Sequence, residues 1–520
     1  MRKIAKDGKR IYREEITKEE ALERFKDNPY KIEIINDIKE GEIISCYTQG
    51  DFTDLCRGPH VKTVKDCKNF KLLKFSGSYY KGDSNGKVLQ RIYGVCFPKK
   101  EQLEEHLKQL EEAKERDHRK IGKALEIFMT SDLVGKGLPL WIPNGYTLWR
   151  IIQNYITEKE IEHGYKHVHT PDLGNVELYK TSGHFDHYKE DMFPVMELDN
   201  EKYVLRPMNC PHHMVIYGNS LHSYKELPIK VAEIANDFRY EAAGAVKGIE
   251  RARSFTQNDS HIFCTKDQIK SEFKDVLDLI IEVYKDFGID ILKNKFRLSL
   301  RDPEDKNNKY YKDDEMWNSA ENSLREVLDE IGVKYFEAKG EAAFYGPKLD
   351  ILIKPAVGNE VAIPTIQLDF LLPKKFDLTY INEKGEKETP IVIHRAVLGS
   401  LDRFIAFLLE ETKGALPLWL APNQINIIPV NNEHHLKYAT KIYEQLKREN
   451  FRVTIDTRDE KLSYKMRESQ IKKTPYTIIL GDNEKRNKTI SYRKYSTSST
   501  VTLSVRQFIK ETKDEIEKKI

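Results

Sequence analysis

The sequence predicts an α+β chain in three parts: a small N-terminal α+β unit, a central region of mixed helix and strand, and a C-terminal α/β domain. Three observations lead there. The length, 520 residues, suits three or four domains at roughly 150 residues each. From Ala421 onward apolar runs alternate with helical segments, the pattern of a largely parallel or mixed sheet with crossing helices. The basic excess is confined to that same stretch: residues 421–520 carry 21 Lys+Arg against 13 Asp+Glu, while the rest of the chain carries 65 against 70. The overall net charge of +3 hides this division.

In chain order, residues 1–100 read as the small unit. Short apolar runs such as Phe70–Leu73 alternate with polar turns such as Lys81-Gly82-Asp83-Ser84-Asn85-Gly86. Residues 101–125 read as a charged linker helix with Leu103, Leu107 and Leu110 on a narrow apolar stripe. Within 126–415 one helix is expected from Leu148 to His163, stopped by Gly164. A second starts at Thr265, whose Thr265-Lys266-Asp267-Gln268 is a capping box, and ends near Gly288. A third runs from Ala396 to Glu411. Pro417 and Pro422 interrupt helix and strand alike and mark the start of the last domain, 416–520. Strands are expected there at Ile425–Val430 and Tyr476–Leu480, and helices at His434–Asn450 and Ser504–Lys519.

Composition excludes several classes. Apolar residues at 39%, charged residues at 32% and 22 Phe, 27 Tyr and 4 Trp describe a folded chain rather than a disordered one. No stretch approaches the roughly 20 apolar residues that span a bilayer; the longest apolar run in a helical pattern is Phe404–Leu409. Met1–Arg10 is basic with no apolar segment behind it, so no signal peptide is readable. Six cysteines in this length do not make a disulfide scaffold, and the cytoplasm is the default compartment. The basic last domain is the electrostatic footprint of a polyanion binder, or equally a solvated lysine-rich face.

The stretch from Ala232 to Cys264 is the most informative. It reads as strand, loop and strand, with Gly244 and Gly248 in the loop. Side chains two apart in a strand share a face. Arg239 and Glu241 then point one way, and Arg251, Arg253, Phe255, Gln257, Asp259 and His261 share one parity. Such a face is too polar to be a core face without a partner. Arginine forks recognise phosphate, a ring can stack on a base, and a carboxylate can accept from an exocyclic amine. These parts describe a nucleotide site that lacks the glycine-rich phosphate loop of P-loop or dinucleotide folds.

Phe238-Arg239-Tyr240-Glu241, the loop, and Arg251–Phe255 resemble motif 2 of class II aminoacyl-tRNA synthetases. Gly164-Tyr165 with Pro171 resembles motif 1, the dimer-forming element, and Gly399-Ser400-Leu401-Asp402-Arg403 resembles motif 3. The text around them is similar to bacterial-type threonyl-tRNA synthetases: Arg206-Pro207-Met208-Asn209-Cys210-Pro211, Phe255–His261, Tyr345-Gly346-Pro347-Lys348 and Ile393-His394-Arg395-Ala396. The resemblance implies an α+β catalytic domain built on an antiparallel sheet, an α/β anticodon-binding domain at 416–520 and a partial editing-like domain at 1–100. It also implies a homodimer without membrane contact whose partners are ATP, L-threonine and tRNA(Thr).

Read alone, Cys210, His261 and His394 are a buried thiol and two ordinary histidines, because no short zinc spacing links them. The resemblance matches them to the family's zinc ligands, one ion per subunit. Three protein ligands leave a coordination position open. In the family threonine fills it through its amino group and hydroxyl. A site that demands a hydroxyl rejects an analogue lacking one by roughly 10⁴ or more. By the same resemblance Asp259 accepts from that hydroxyl, and Met208, Gln257 and Tyr345 line the amino-acid pocket. Arg239 holds the α-phosphate of ATP, Arg403 and Arg251 the other phosphates, Phe255 stacks on adenine and Glu241 contacts its amine. Lys348, Thr365, Gln367 and Ser400 match further active-site positions, and Mg2+ accompanies ATP. His184, in Thr181-Ser182-Gly183-His184-Phe185, matches a histidine near the accepting ribose, where an imidazole titrating near neutrality would help move a proton. Glu460 and Arg467 match anticodon contacts.

The chain departs from the pattern at two places. Cys56-Arg57-Gly58-Pro59-His60 matches half of the family's serine-editing site, but the upstream His-x-x-x-His pair has no counterpart, since His60 is the first histidine in the sequence. Cys56 and His60 are therefore expected to be vestigial, with serine editing weak or lost. His212 stands in Cys210-Pro211-His212-His213 where relatives usually have glycine; it is not expected to bind zinc. A nucleotide- and RNA-binding protein without ligase activity, a zinc hydrolase built on Cys56 and His60, and a purely RNA-binding protein are the competing readings.

Overall fold

The computed structural model describes residues 1–82, 86–305, 309–356 and 360–519. Asp83, Ser84 and Asn85 of the expected turn lie outside the described residues. The chain forms two compact units, Met1–Lys114 and Glu115–Ile520.

The smaller unit is α+β. An antiparallel sheet of Ile11–Ile16, Ile44–Gln49 and Phe52–Leu55 carries the helices Lys18–Arg24 and Pro29–Asp37. Thr17 and Glu20 close a capping box at the first of these, and Ala21, Phe25, Ile35, Ile44 and Cys46 form a small core. A two-stranded hairpin, Asn69–Tyr79 with Val88–Phe97, follows. The expected linker helix is two helices rather than one. The first runs Lys100–Glu115; Asp117 then accepts from the Arg119 N–H at 2.9 Å and caps a new helix, His118–Ala124.

In the larger unit an eight-stranded sheet is central. Its order is Tyr335–Lys339, Lys295–Leu300, Lys348–Ile353, Val361–Asp369, Ile391–Ala396, Ser254–Cys264, Ile229–Phe238 and Lys166–His167. Only the two outermost pairings are parallel; the rest are antiparallel, as the resemblance implied. Alternation splits the sheet into two faces. On one face Leu349, Ile366, Ile393 and Ile262 pack under the helices Ile269–Asp286 and Leu401–Glu411, through Phe273, Leu277, Ile280, Phe404 and Leu408. The other face is polar and carries the candidate site.

Helix ends follow local chemistry. The first long helix starts earlier than expected, at Pro143, because proline's fixed φ suits the first helical turn. It ends at Glu162, and Gly164 follows at a φ of +84° that other residues adopt at a cost. Thr265 and Gln268 form the expected capping box, leading through one 3₁₀ turn into Ile269–Asp286. The helix expected from Ala396 begins only at Leu401. Ile391–Ala396 is strand, and the Ser400 hydroxyl accepts from the Arg403 N–H to start the helix. The hairpin strands are also shorter than expected. They end at Phe238 and resume at Ser254, so Arg239, Glu241, Arg251 and Arg253 belong to the connecting loop.

The last domain has a mixed sheet. Val453–Ile455, Ile425–Pro429 and Tyr476–Leu480 are parallel, and Thr489–Lys494 and Val501–Ser504 add antiparallel strands. Helices Asn432–Arg448 and Val505–Glu517 pack on it through Ala439, Ile442, Leu446 and Phe508.

Candidate active site

Strand register assembles the site. Across four neighbouring strands Lys348 pairs with Gln367, Gln367 with His394, and His394 with His261. One row of the polar face therefore carries an ammonium, an amide and two imidazoles drawn from positions far apart in sequence. The next row pairs Asp350 with Thr365 and Thr365 with Ala396. Along the strand Ser254–Cys264, Phe255, Gln257 and Asp259 share the face of His261, as parity required.

Two adjoining recesses open on this face. One, of about 370 Å³, is lined by Met208, Cys210, Gln257, Asp259, Tyr345, Gln367 and His394, among others. The other, of about 550 Å³, is lined by Glu241, Arg251, Phe255, Asp350, Ser400 and Arg403, among others. Arg239, Gln257, Lys348, Thr365 and Ala396 line both, so the two are one cleft. Met208, Asp259 and Tyr345 stand at one end and Glu241, Arg251, Phe255, Ser400 and Arg403 at the other, with Arg239, Gln257, Lys348 and Thr365 between them, while Gln367, matched to ATP, lies at the amino-acid end.

At the inner end Cys210, His261 and His394 each offer one ligand atom, and these atoms lie within 4.8 Å of one another. All three side chains are buried. Cys210 comes from the first turn of the helix Cys210–Gly218. His261 Nε2 is buried without a hydrogen-bond partner. The His394 Nε2 is 2.8 Å from Asp369 Oδ2, which leaves Nδ1 for another partner. Burial pushes the Cys210 thiol well above its usual range, and the carboxylates of Asp259, Asp237 and Asp369 add to the effect. Burial likewise holds His261 well below neutrality as a free base. A thiol that only a cation would ionise, an imidazole nitrogen without a partner and a carboxylate-held second imidazole fit a tetrahedral zinc with a vacant position.

Asp259 sits beside this cluster; its Oδ1 accepts from the Ser260 N–H at 2.9 Å, and burial raises its carboxyl above the usual range. Tyr345 donates its hydroxyl to Gln367 Oε1 at 2.6 Å and stacks on the His394 ring at 5.0 Å. At the outer end the Arg239 guanidinium lies 5.1 Å from the Phe255 ring centre, and Arg251 Nε donates to Glu241 Oε2 at 2.8 Å. Asp402 accepts from the Thr256 N–H at 2.7 Å, fastening the Leu401–Glu411 helix to the Phe255 strand.

Two sequence expectations change, for Arg253 and His184, while His212 stays off the metal cluster as expected. Arg253 turns out of the cleft: its Nε donates to the Glu241 carbonyl at 2.8 Å. His184 lines neither recess; it is fully buried against Phe344 at 5.5 Å, with Nδ1 2.8 Å from Ser182 Oγ. Burial, with the charge of His394 adding, pushes its pKa down to about 3 rather than near neutrality. His212 lies outside the three-residue cluster, with its ring 6.2 Å from Tyr179. Elsewhere, Glu460 and Arg467 are exposed, the first ahead of the helix Leu462–Ile471 and the second within it. In the smaller unit Cys56 Sγ is 3.1 Å from His60 Nε2, and Tyr47 stacks on His60 at 4.1 Å.

Sequence reading missed the groups behind the cluster: Asp369, His213, Glu233 and Arg206, all buried. Glu233 and Asp237 had a legible signal, two carboxylates at even spacing on a strand face whose other members are Ile229, Val231 and Ala235. Nothing local connected them with Cys210 or His261.

Three family models match the chain. They are the class II core domain of G, H, P, S and T tRNA synthetases over 193–412, an anticodon binding domain over 424–515, and the threonyl and alanyl tRNA synthetase second additional domain over 44–93. A threonine–tRNA ligase of Geobacillus sp. strain WCH70 is 58% identical over 518 residues, covering 99% of this chain and 80% of its own length. One from Staphylococcus aureus strain bovine RF122 is 56% identical over 517 residues, again covering 99% and 80%. A solved structure described as the RNA binding domain of threonyl-tRNA synthetase from Cryptosporidium parvum superposes with a TM-score of 0.72 at 34% identity, over 77% of this chain and 98% of that one.

Proposed function

The chain belongs to the threonine–tRNA ligase family of class II aminoacyl-tRNA synthetases, and on that footing we propose that the Cys210, His261 and His394 cluster holds a zinc ion through which threonine is recognised. The ligase activity is the family's: threonine is activated with ATP and joined to tRNA. The observation that carries the zinc reading is the buried, partnerless His261 Nε2 facing a thiol and a second imidazole within 4.8 Å. A zinc ion held there would supply Lewis acidity toward the amino group and β-hydroxyl of threonine.

The chain's own residues do the rest. Asp259 accepts the hydroxyl proton, while Gln257, Met208 and Tyr345 wall the side chain. Arg239, shared by both ends of the cleft, holds the α-phosphate where the carboxylate attacks. Both reacting groups are anionic, so neutralisation and alignment lower the barrier more than covalent help would. Arg251 and Arg403 take the outer phosphates, with Mg2+ arriving on ATP. Phe255 stacks on adenine opposite the Arg239 guanidinium, and Glu241 accepts from the adenine amine. Lys348, Thr365, Gln367 and Ser400 complete the walls. His184, buried against Phe344 and lining neither recess, is assigned a positioning role in the transfer step. Glu460 and Arg467 contact the anticodon, and the family's motif 1 element pairs two subunits. We assign 1–100 to the editing-like part, 101–125 to the linker, 126–415 to catalysis and 416–520 to the anticodon. Cys56 and His60, with Sγ and Nε2 3.1 Å apart, match half of the family's serine-editing site.

Threonine-dependent ATP–pyrophosphate exchange tests the zinc reading. Chelation should abolish exchange and added zinc restore it, and His394→Ala should not bind the metal. Full exchange by a metal-free enzyme would refute the assignment.

A further inference from the structure

Behind His261 the buried polar groups form a chain with a defined direction. His261 Nδ1 lies 2.8 Å from His213 Nδ1, and the two rings meet edge to face at 4.7 Å. On its other side His213 Nε2 lies 3.1 Å from Glu233 Oε2. Glu233 is itself fastened: Oε1 accepts from the Thr170 N–H at 2.7 Å, and Oε2 accepts from the Thr170 hydroxyl at 3.0 Å and from Asn209 Nδ2 at 3.1 Å. Arg206 Nη1 stands 3.5 Å from Oε1. His213, His261 and Glu233 are all at most 1% exposed, so bulk solvent does not reach them.

Hydrogen positions follow by elimination. An ionised carboxylate only accepts, so His213 Nε2 carries a proton toward Glu233. Two nitrogens 2.8 Å apart share one hydrogen; His261 carries it on its own Nδ1 and His213 Nδ1 accepts, because a hydrogen on His261 Nε2 would find no acceptor. That leaves His261 Nε2 as a lone pair. The opposite tautomer would aim an N–H at a buried position whose nearest carboxylate oxygen, Asp259 Oδ2, is 3.9 Å away, beyond hydrogen-bond reach. Helical spacing completes the arrangement. Cys210 and His213 are three residues apart on one helix and share a face, so one turn supplies a ligand and the group that orients another.

We propose that Glu233 and His213 are positioning residues that fix His261 as the Nδ1–H tautomer and aim its Nε2 lone pair at the metal position. This rests on the zinc reading above. A group that orients a ligating imidazole is worth roughly 10- to 100-fold in metal affinity.

The test is zinc affinity of the full 520-residue chain by competition with a chromophoric chelator, together with the absorption spectrum of the cobalt(II)-loaded protein. His213→Leu removes the acceptor and should weaken zinc about 10- to 100-fold and alter the cobalt bands. His213→Asn keeps an acceptor near the Nδ1 position and should recover most of that loss, which a merely space-filling role would not produce. Glu233→Gln preserves shape but can donate to His213, and should weaken zinc in the same direction. It decides the matter if the leucine variant does not fold. Wild-type affinity and an unchanged cobalt spectrum in folded His213→Leu or Glu233→Gln would overturn the proposal while leaving the zinc reading intact. A wild-type chain that binds no zinc, or a Cys210→Ala variant that binds it as tightly, would overturn both.

Discussion

Removing the carboxylate of Glu160 should destabilise the larger unit by about 3–5 kcal/mol. Glu160 lies on the Pro143–Glu162 helix, fully buried. Its Oε1 is 2.6 Å from Arg395 Nη1 and accepts from Asn258 Nδ2 at 2.7 Å, while Oε2 is 3.1 Å from His167 Nε2. Arg395, also fully buried, has the Tyr165 ring 4.2 Å from its guanidinium as a further partner. Glu160→Met would therefore strand a guanidinium in the interior with Tyr165 as its remaining close partner among the described residues. Breaking a buried pair costs far more than the pair contributes over an apolar replacement, because the remaining charge is desolvated without compensation. The assay is urea unfolding followed by tryptophan fluorescence for wild type, Glu160→Met, Arg395→Met and the double variant. Each single variant should fall by the full amount, and the double should lie closer to wild type than either. Singles within 1 kcal/mol of wild type, the range of solvent-exposed pairs, would refute the burial argument; a double variant as unstable as the summed singles would refute the pairing. Acid should act likewise. Burial alone would raise the Glu160 carboxyl, but the Arg395 charge, the His167 contact and the Asn258 hydrogen bond outweigh it and hold the group below its ordinary value. A depressed folded value means the contribution is complete above the unfolded value of about 4.3 and is lost as pH falls through the folded one. The gap between wild type and either single variant should narrow below about pH 4.

Other outcomes follow from the same geometry. Asp259→Ala should lower kcat/KM for threonine in pyrophosphate exchange by roughly 10- to 150-fold, the worth of a hydrogen bond to a charged acceptor, with the KM for ATP nearly unchanged; an equal loss for both substrates would contradict its place at the amino-acid end. Because burial pushes His184 down to about 3, single-turnover transfer from preformed adenylate to tRNA should show no inflection between pH 5 and 8 that disappears in His184→Gln. Such an inflection would reinstate the near-neutral imidazole.

Local chemistry was legible wherever one short segment carries the signal. The capping box at Thr265, the stop at Gly164, the strand Tyr476–Leu480 and the mixed sheet of the last domain were readable because caps, turns and period-two alternation act within a few residues. Errors arose where one residue overrides a pattern: Asp117 splits the linker helix and Ser400 delays the motif 3 helix. Parity correctly predicted that Phe255, Gln257, Asp259 and His261 share a face. It failed for Arg253 because that residue lies in the loop, where alternation has no force.

By itself, then, the order of residues determined which chemical groups the protein owns, where its helices start and stop, and, through motif resemblance, the family to which it belongs. Only the tertiary structure decided that the imidazoles at 261 and 394 pair directly across two strands, that a thiol from a separate helix reaches them, and that Glu233 stands behind His213. The physical reason is register. A one-residue slip between neighbouring strands would turn every such side chain to the opposite face, and what holds the register is the packing of Ile262, Ile366 and Ile393 beneath the helices, an interaction between segments too far apart along the chain for any local pattern to encode.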